Sequence, residues 1–310
     1  MELYAYTYPV QKNAITVKLV GGLGNQLFIW AAAYSISKKQ NLELIIDASE
    51  CTQRGFELDI FGIKAAIKPN NPPNGILPTR FPKSQSKLLK FFRACRGKFR
   101  YLRIGKNFWE RPGGFDPTVF SIPAGKTLRG YFQSYKYFQD FLPEILEYLT
   151  LNIKTSSRYH DILGNLKDEQ WVAIHVRRGD YKQVSSSFGL VPEDYYHQAL
   201  TRVESYFPNL KKYVFSDDIF ESKILLPGCD GYISDNELGS GAERMLLSSH
   251  ADALIGANST FSWWTAILMS AEEHLKIFPD PWFAAKSLEN KDFIPVGWGK
   301  IPIILDTSTN

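Results

Sequence analysis

The feature that most constrains this 310-residue chain is a strand that runs straight into glycines and then into a helix. ITVKLV (15–20) leads into Gly21-Gly22-Leu23-Gly24-Asn25-Gln26, followed by the helical run LFIWAAAYSISKKQ and a second strand, LELIID (42–47). Strand, helix, strand at this spacing is a βαβ unit and requires a parallel sheet. The second half repeats the grammar. WVAIHVRRGD reads as a strand, DYYHQALTRVESYF as a helix and YVFSDD as a strand. AERMLLSSH then reads as a helix, ADALIGAN as a strand, TFSWWTAILMSA as a helix and KIFPD as a late strand. The expected class is α/β, with two Rossmann-type doubly wound domains facing one cleft. Residues 150–168 are the expected region of the boundary, placed between domains 1–155 and 156–310.

Composition narrows the setting. No window holds 18 consecutive apolar residues, and the first residues lack the pattern of a signal peptide. Three scattered cysteines, an odd number without CxxC spacing, point to a reducing compartment and away from a disulfide scaffold. The expectation is a cytoplasmic protein. Charge is uneven. Between Phe61 and Trp109 there are 12 Lys or Arg and no Asp or Glu; the 36 basic residues less these 12 leave 24 against 32 acidic, or −8. The densest part, 83–106, mixes basic and apolar residues. Three readings stay open for it: peripheral contact with an anionic inner membrane, a solvated face, and a nonspecific phosphate patch. No nucleic-acid motif accompanies it, so no nucleic-acid partner is expected.

In open α/β sheets ligands gather beyond the carboxyl ends of the strands, and four motifs fall there. In GGLGNQ, glycines permit close backbone approach and the next helix offers N–H groups to an anion. Gly22-x-Gly24 with Asp47 imitates a dinucleotide fingerprint, but Leu27 stands where the third glycine belongs. The amides of Asn25 and Gln26 can face a sugar, or Asn25 caps the helix. In His175-Val176-Arg177-Arg178-Gly179-Asp180, alternation puts His175 and Arg177 on one face. An arginine fork suits a diphosphate, while an Arg178–Asp180 pair is the structural alternative. Ser216-Asp217-Asp218 can bind a metal, a guanine edge or the next helix's amides. In Asn258-Ser259-Thr260-Phe261-Ser262-Trp263-Trp264, hydroxyls and amides at a helix start make a phosphate cradle or an ordinary cap, with both tryptophans in the core. No catalytic triad or metal-ligand spacing is visible.

Together GGLGNQ (21–26), GYFQSYKYF (130–138), HVRRGDY (175–181), FSDD (215–218) and NSTFSWW (258–264) resemble the α-1,2-fucosyltransferases of glycosyltransferase family 11. The segments occur in the family's order and span most of the chain. Leu27 and the Ile29-Trp30 pair depart from the commoner Met and Gln-Tyr. The resemblance implies a GT-B-like fold and an inverting, metal-independent galactoside α-1,2-fucosyltransferase. Its partners would be the donor GDP-fucose and a β-galactoside-terminated oligosaccharide, with no further cofactor. The N-terminal domain would hold the acceptor and the C-terminal one GDP. Expected catalytic residues are Asn25, His175 and Arg177. Expected donor-binding residues are Gly24, Arg177, Asp180, Ser216, Asp217, Asn258, Ser259, Thr260, Phe261 and Ser262.

Overall fold

The computed structural model describes residues 13–52, 54–68, 105–111, 113–179, 185–269, 274–288 and 291–307. Asp180 and the basic stretch 83–104 lie outside the described residues. Among the described residues no helix is long and apolar enough to cross a membrane. The chain divides into two compact units: Met1–Asp59 with Ile63–Arg111 and Phe115–Phe141, and Leu142–Asn310 with Ile60–Gly62 and Pro112–Gly114.

The first unit holds a parallel sheet of four strands: β1 (Ala14–Lys18), β2 (Glu43–Asp47), β3 (Asn107–Trp109) and β4 (Thr127–Arg129), in the order β2-β1-β4-β3. Helix α1 (Leu23–Gln40) connects β1 to β2. It is apolar around most of its circumference, with Leu27, Phe28, Ile29 and Ala31 to Ala33 fully buried, and ends on Asn41 in the left-handed conformation (φ 52°). Lys18 Nζ donates to Asp47 Oδ2 at 2.8 Å and to Ser49 Oγ at 2.6 Å, tying the ends of β1 and β2 together.

The second unit holds six parallel strands: β5 (Trp171–Val176), β6 (Lys211–Ser216), β7 (Gly231–Ser234), β8 (Ala253–Ile255), β9 (Leu275–Asp280) and β10 (Gly299–Pro302). Their order is β10-β9-β8-β5-β6-β7. Counted from β5 as the first strand this is 3-2-1-4-5-6, the doubly wound dinucleotide-binding order, with its direction reversing between β5 and β8. The expected α/β class with parallel sheets is therefore what forms. Every residue of β5 is buried, as a central parallel strand requires. Val172, Ile174 and Val176 pack with Tyr195, Tyr196, Ala199 and Val203 of α2 (Glu193–Tyr206). Gly256 follows β8 and lies against Phe278; a Cβ there would lie 2.2 Å from the ring.

Candidate functional site

In the second unit β5, β6 and β8 deliver the candidate residues to one edge. Arg177 follows β5, and its Nη1 lies 3.1 Å from Asp217 Oδ2, beyond the end of β6. The other carboxylate oxygen of Asp217 accepts the backbone N–H of Arg178 at 3.0 Å. Gly179 makes room, since a Cβ there would meet Asp217 Oδ2 at 2.9 Å. So Asp217 clamps both the side chain and the backbone that follow β5. Its neighbour Asp218 does the capping: Oδ1 accepts the N–H of Glu221 at the start of α3 (Ile219–Leu225). Ser216 Oγ accepts the Asp218 N–H at 3.0 Å and shapes that turn.

His175 is 3% exposed and lies between the rings of Phe215 and Phe261, at centroid distances of 5.7 and 5.4 Å. Nδ1 shares a hydrogen bond with Ser262 Oγ at 3.0 Å. Nε2 is buried and has no hydrogen-bond partner among the described residues. Burial, with a smaller contribution from the charge of Arg244, pushes the imidazole down to about 3. The ring is thus neutral at ordinary pH, with one nitrogen unanswered, a state that burial makes costly unless a ligand completes it.

Past β8, Ser259 caps α5 (Thr260–Leu268), its Oγ accepting the Phe261 N–H at 3.2 Å. The helix between β7 and β8 is α4 (Gly241–Ser248). The Asn258 amide turns inward: Nδ2 donates to the carbonyls of Phe188, Gly189 and Trp282, tying two other stretches of chain to the turn. Trp263 and Trp264 are fully buried, as expected, and Trp263 Nε1 donates to Phe293 O at 2.7 Å. Thr260 remains partly exposed at the helix start.

In the first unit α1 begins at Leu23, four residues earlier than the apolar run suggests, with Gly22 in the cap position and no side-chain cap. Gly24 is buried in its first turn and Asn25 lies within that turn, so Asn25 is not the cap. Gln26 is fully buried. Its Nε2 donates to Gly21 O and Gly55 O, and its Oε1 accepts the Glu57 N–H. Both ends of its amide are thus engaged in bracing the loop, in place of the sugar-facing role expected of it. Asn25 Oδ1 accepts from Gln133 Nε2 at 2.9 Å. Gly21, at φ 78°, leaves room for Asn25, whose Nδ2 would lie 2.6 Å from any Cβ there.

Three residues escaped the sequence reading. Glu243 is buried at the third position of α4, its N–H bonded to the cap Ser240 and its carboxylate accepting the Ser156 N–H. The Ser-x-x-Glu capping spacing could have flagged it. Arg244 pairs with Asp235, Nη2 to Oδ1 at 3.2 Å. Glu110 bonds two backbone amides after β4; nothing local in the sequence marks it. Among the described residues no group of three or more His, Cys, Asp or Glu is poised to hold a metal.

A Rossmann-ordered sheet with an arginine fork and a helix start at its switch point defines an α/β protein of the class that receives phosphorylated ligands. More particularly, the chain is a glycosyltransferase and belongs to glycosyltransferase family 11, whose model matches residues 107–301, more than half of it. An α-1,2-colitosyltransferase from Escherichia coli is 28% identical over 302 residues, covering 93% of this chain and 99% of that protein. The E. coli O-antigen biosynthesis glycosyltransferase WbnK is 27% identical over 295 residues, covering 87% and 95%. Among solved structures, the fucosyltransferase NodZ from Bradyrhizobium is similar at a TM-score of 0.45 and 13% identity, covering 83% of this chain and 94% of NodZ.

Proposed function

We propose that the chain transfers L-fucose, with inversion, from GDP-β-L-fucose to the 2-hydroxyl of a terminal galactose. Residues 156–310 would carry the donor and 1–155 the acceptor. The observation that carries the donor half is that the neighbouring strands β6, β5 and β8 end on the Arg177–Asp217 pair, on His175, whose Nε2 has no partner among the described residues, and on the start of α5. A departing nucleoside diphosphate gains negative charge in the transition state. Arg177 offers it a bidentate, charge-assisted contact, and the amide and hydroxyl of Thr260 add further donors. Ser259, Asn258 and Ser262 hold that turn and His175 in place. Asp217 sets the direction of the Arg177 fork, and Phe261 walls the imidazole. His175 Nε2, neutral, suits a hydrogen bond to the nucleoside or sugar rather than proton transfer. Ser216 shapes the turn that carries Asp217, and Asp180 is a donor-binding candidate by its place in the motif.

On the acceptor side the galactose 2-hydroxyl would meet Asn25, with Gly24 and the glycines before it allowing close approach. An amide cannot take a proton at neutral pH, so Asn25 orients the hydroxyl, and rate comes from positioning. A relative that bears the name colitosyltransferase supports a second reading, in which the transferred sugar is colitose and the acceptor chemistry is unchanged. Incubation with lactose and either GDP-fucose or GDP-colitose, followed by NMR linkage analysis, tests both. The expected product is an α-1,2-fucosyl galactoside; a product from GDP-colitose alone selects the second reading, and a linkage to any other hydroxyl overturns the acceptor assignment.

A further inference from the structure

In the first sheet β1 and β4 are neighbours in the order β2-β1-β4-β3 and run parallel, so the segments that follow them leave the same carboxyl edge of the sheet, where ligands of open α/β sheets gather. Asn25 follows β1, and Gln133 follows β4 by four residues. Their side chains meet there, Nε2 to Oδ1 at 2.9 Å. Glu110 stands just past β3, the next strand over, and its Oε2 accepts the backbone N–H groups of Tyr131 and Phe132 at 2.9 and 2.7 Å. The Tyr137 hydroxyl bonds the same side chain.

The turn that Glu110 grips is strained. Gly130 sits at φ 153° and Phe132 at φ 48°, a conformation that a side chain makes costly. No side chain fits at Gly130, where a Cβ would lie 2.4 Å from the Glu110 Cβ. Two amides of this strained turn end on one carboxylate oxygen, and the residue immediately after them is Gln133. The path from Glu110 to Asn25 is therefore short: hydrogen bonds from the carboxylate to the turn, the chain itself from Phe132 to Gln133, and a hydrogen bond from Gln133 to Asn25.

We propose that Glu110 is a positioning residue for the acceptor. By fixing the Gly130–Gln133 turn it makes Gln133 occupy Asn25 Oδ1, so that Asn25 presents its Nδ2 to the acceptor hydroxyl oxygen. This rests on the reading that the acceptor meets Asn25. It assigns the amide a direction: Asn25 donates to the hydroxyl oxygen, leaving the hydroxyl proton pointed away from it.

A kinetic cycle tests the chain of contacts. Transfer to lactose is measured at varied donor and acceptor for Asn25→Ala, Glu110→Ala, Gln133→Ala and the Glu110→Ala/Gln133→Ala pair, with GDP affinity by titration as the control for folding. Each of the two single changes at 110 and 133 is expected to cost roughly tenfold or more in kcat/KM for the acceptor, as misplacement of a reacting group does. Donor KM and GDP affinity stay within about twofold. The double variant should be no worse than about twofold below the poorer single one, because residues acting through one path are not additive. Glu110→Gln should recover most of the acceptor kcat/KM, since its carbonyl oxygen can accept the same two N–H groups. Multiplying effects in the double variant, unchanged transfer in Glu110→Ala, or a parallel loss of GDP affinity each overturns the proposal. If Glu110→Ala does not fold, Glu110→Asp, too short to reach both amides, replaces it in the cycle. Transfer unaffected by Asn25→Ala overturns the acceptor reading instead, a result separable from any failure of coupling between 110 and 133.

Discussion

Arg177 and Asp217 meet beyond the ends of neighbouring strands, Nη1 to Oδ2 at 3.1 Å, while the Arg178 N–H closes on the second oxygen at 3.0 Å. One carboxylate thereby fixes both the fork and the backbone that carries it. Arg177→Ala should lower kcat about a hundredfold, or about 3 kcal/mol, the usual cost of one charged donor to a developing anion. Asp217→Ala should cost less in kcat and more in GDP affinity, because the fork survives but loses its direction. Steady-state kinetics with GDP titration separates the two; equal effects on both parameters from both variants count against this division of labour.

His175 carries a pH signature in stability. Its folded-state pKa is pushed down to about 3 by burial, helped by Arg244, from an ordinary 6.5. Between those values the unfolded chain binds a proton that the folded one refuses, so stability is present above pH 6.5 and falls as pH drops toward 3. His175→Gln should flatten that part of a plot of Tm against pH. An activity profile should show no limb near 6.5 from this residue.

Glu110 works in the opposite sense. Burial is the largest influence on it and, with the nearby Asp116, pushes the carboxyl up to about 7 against the pull of the Phe132, Tyr131 and Tyr137 hydrogen bonds. Asp116 itself faces Arg111, Nε to Oδ2 at 3.3 Å. Here the folded state holds a proton that the unfolded chain releases from about pH 4.5 upward, so this contribution to stability is lost as pH rises to about 7. In Glu110→Gln the difference in Tm between pH 5 and 7.5 should shrink; an unchanged difference contradicts the assignment.

Gly256 tests the packing under the switch point. With an ideal Cβ 2.2 Å from Phe278, Gly256→Ala must move an aromatic cluster in which Phe278 stacks on Trp298 at 5.0 Å and on Trp282 at 5.6 Å. Overpacking of this kind costs about 1–3 kcal/mol. Chemical denaturation should show that loss with an unchanged m-value.

The long elements were legible in the sequence because their periods are long enough to read. Helix α1, which starts four residues before its apolar run, and strands β5, β6 and β9 form within the segments that the runs mark. Strands β3 and β4, of three residues each, are too short for any period to register and owe their state to their neighbours. The same divide runs through the candidate site. His175, Arg177 and the Ser259 cap are local to strand ends and helix starts, and local pattern finds them. That Arg177 pairs with Asp217, that Gln26 and Asn258 spend their amides on distant carbonyls, and that Glu110 holds the turn before Gln133 are contacts across 20 to 70 positions of chain. Such pairings follow from strand order, and strand order is not written in any one segment.

The most direct test of the central claim is the position of GDP in a crystal of the protein grown with it. The β-phosphate is expected within hydrogen-bond reach of Arg177 and of the first turn of α5, beyond the ends of β5 and β8. A nucleotide bound elsewhere, with Arg177 and Thr260 both out of reach of its phosphates, contradicts it.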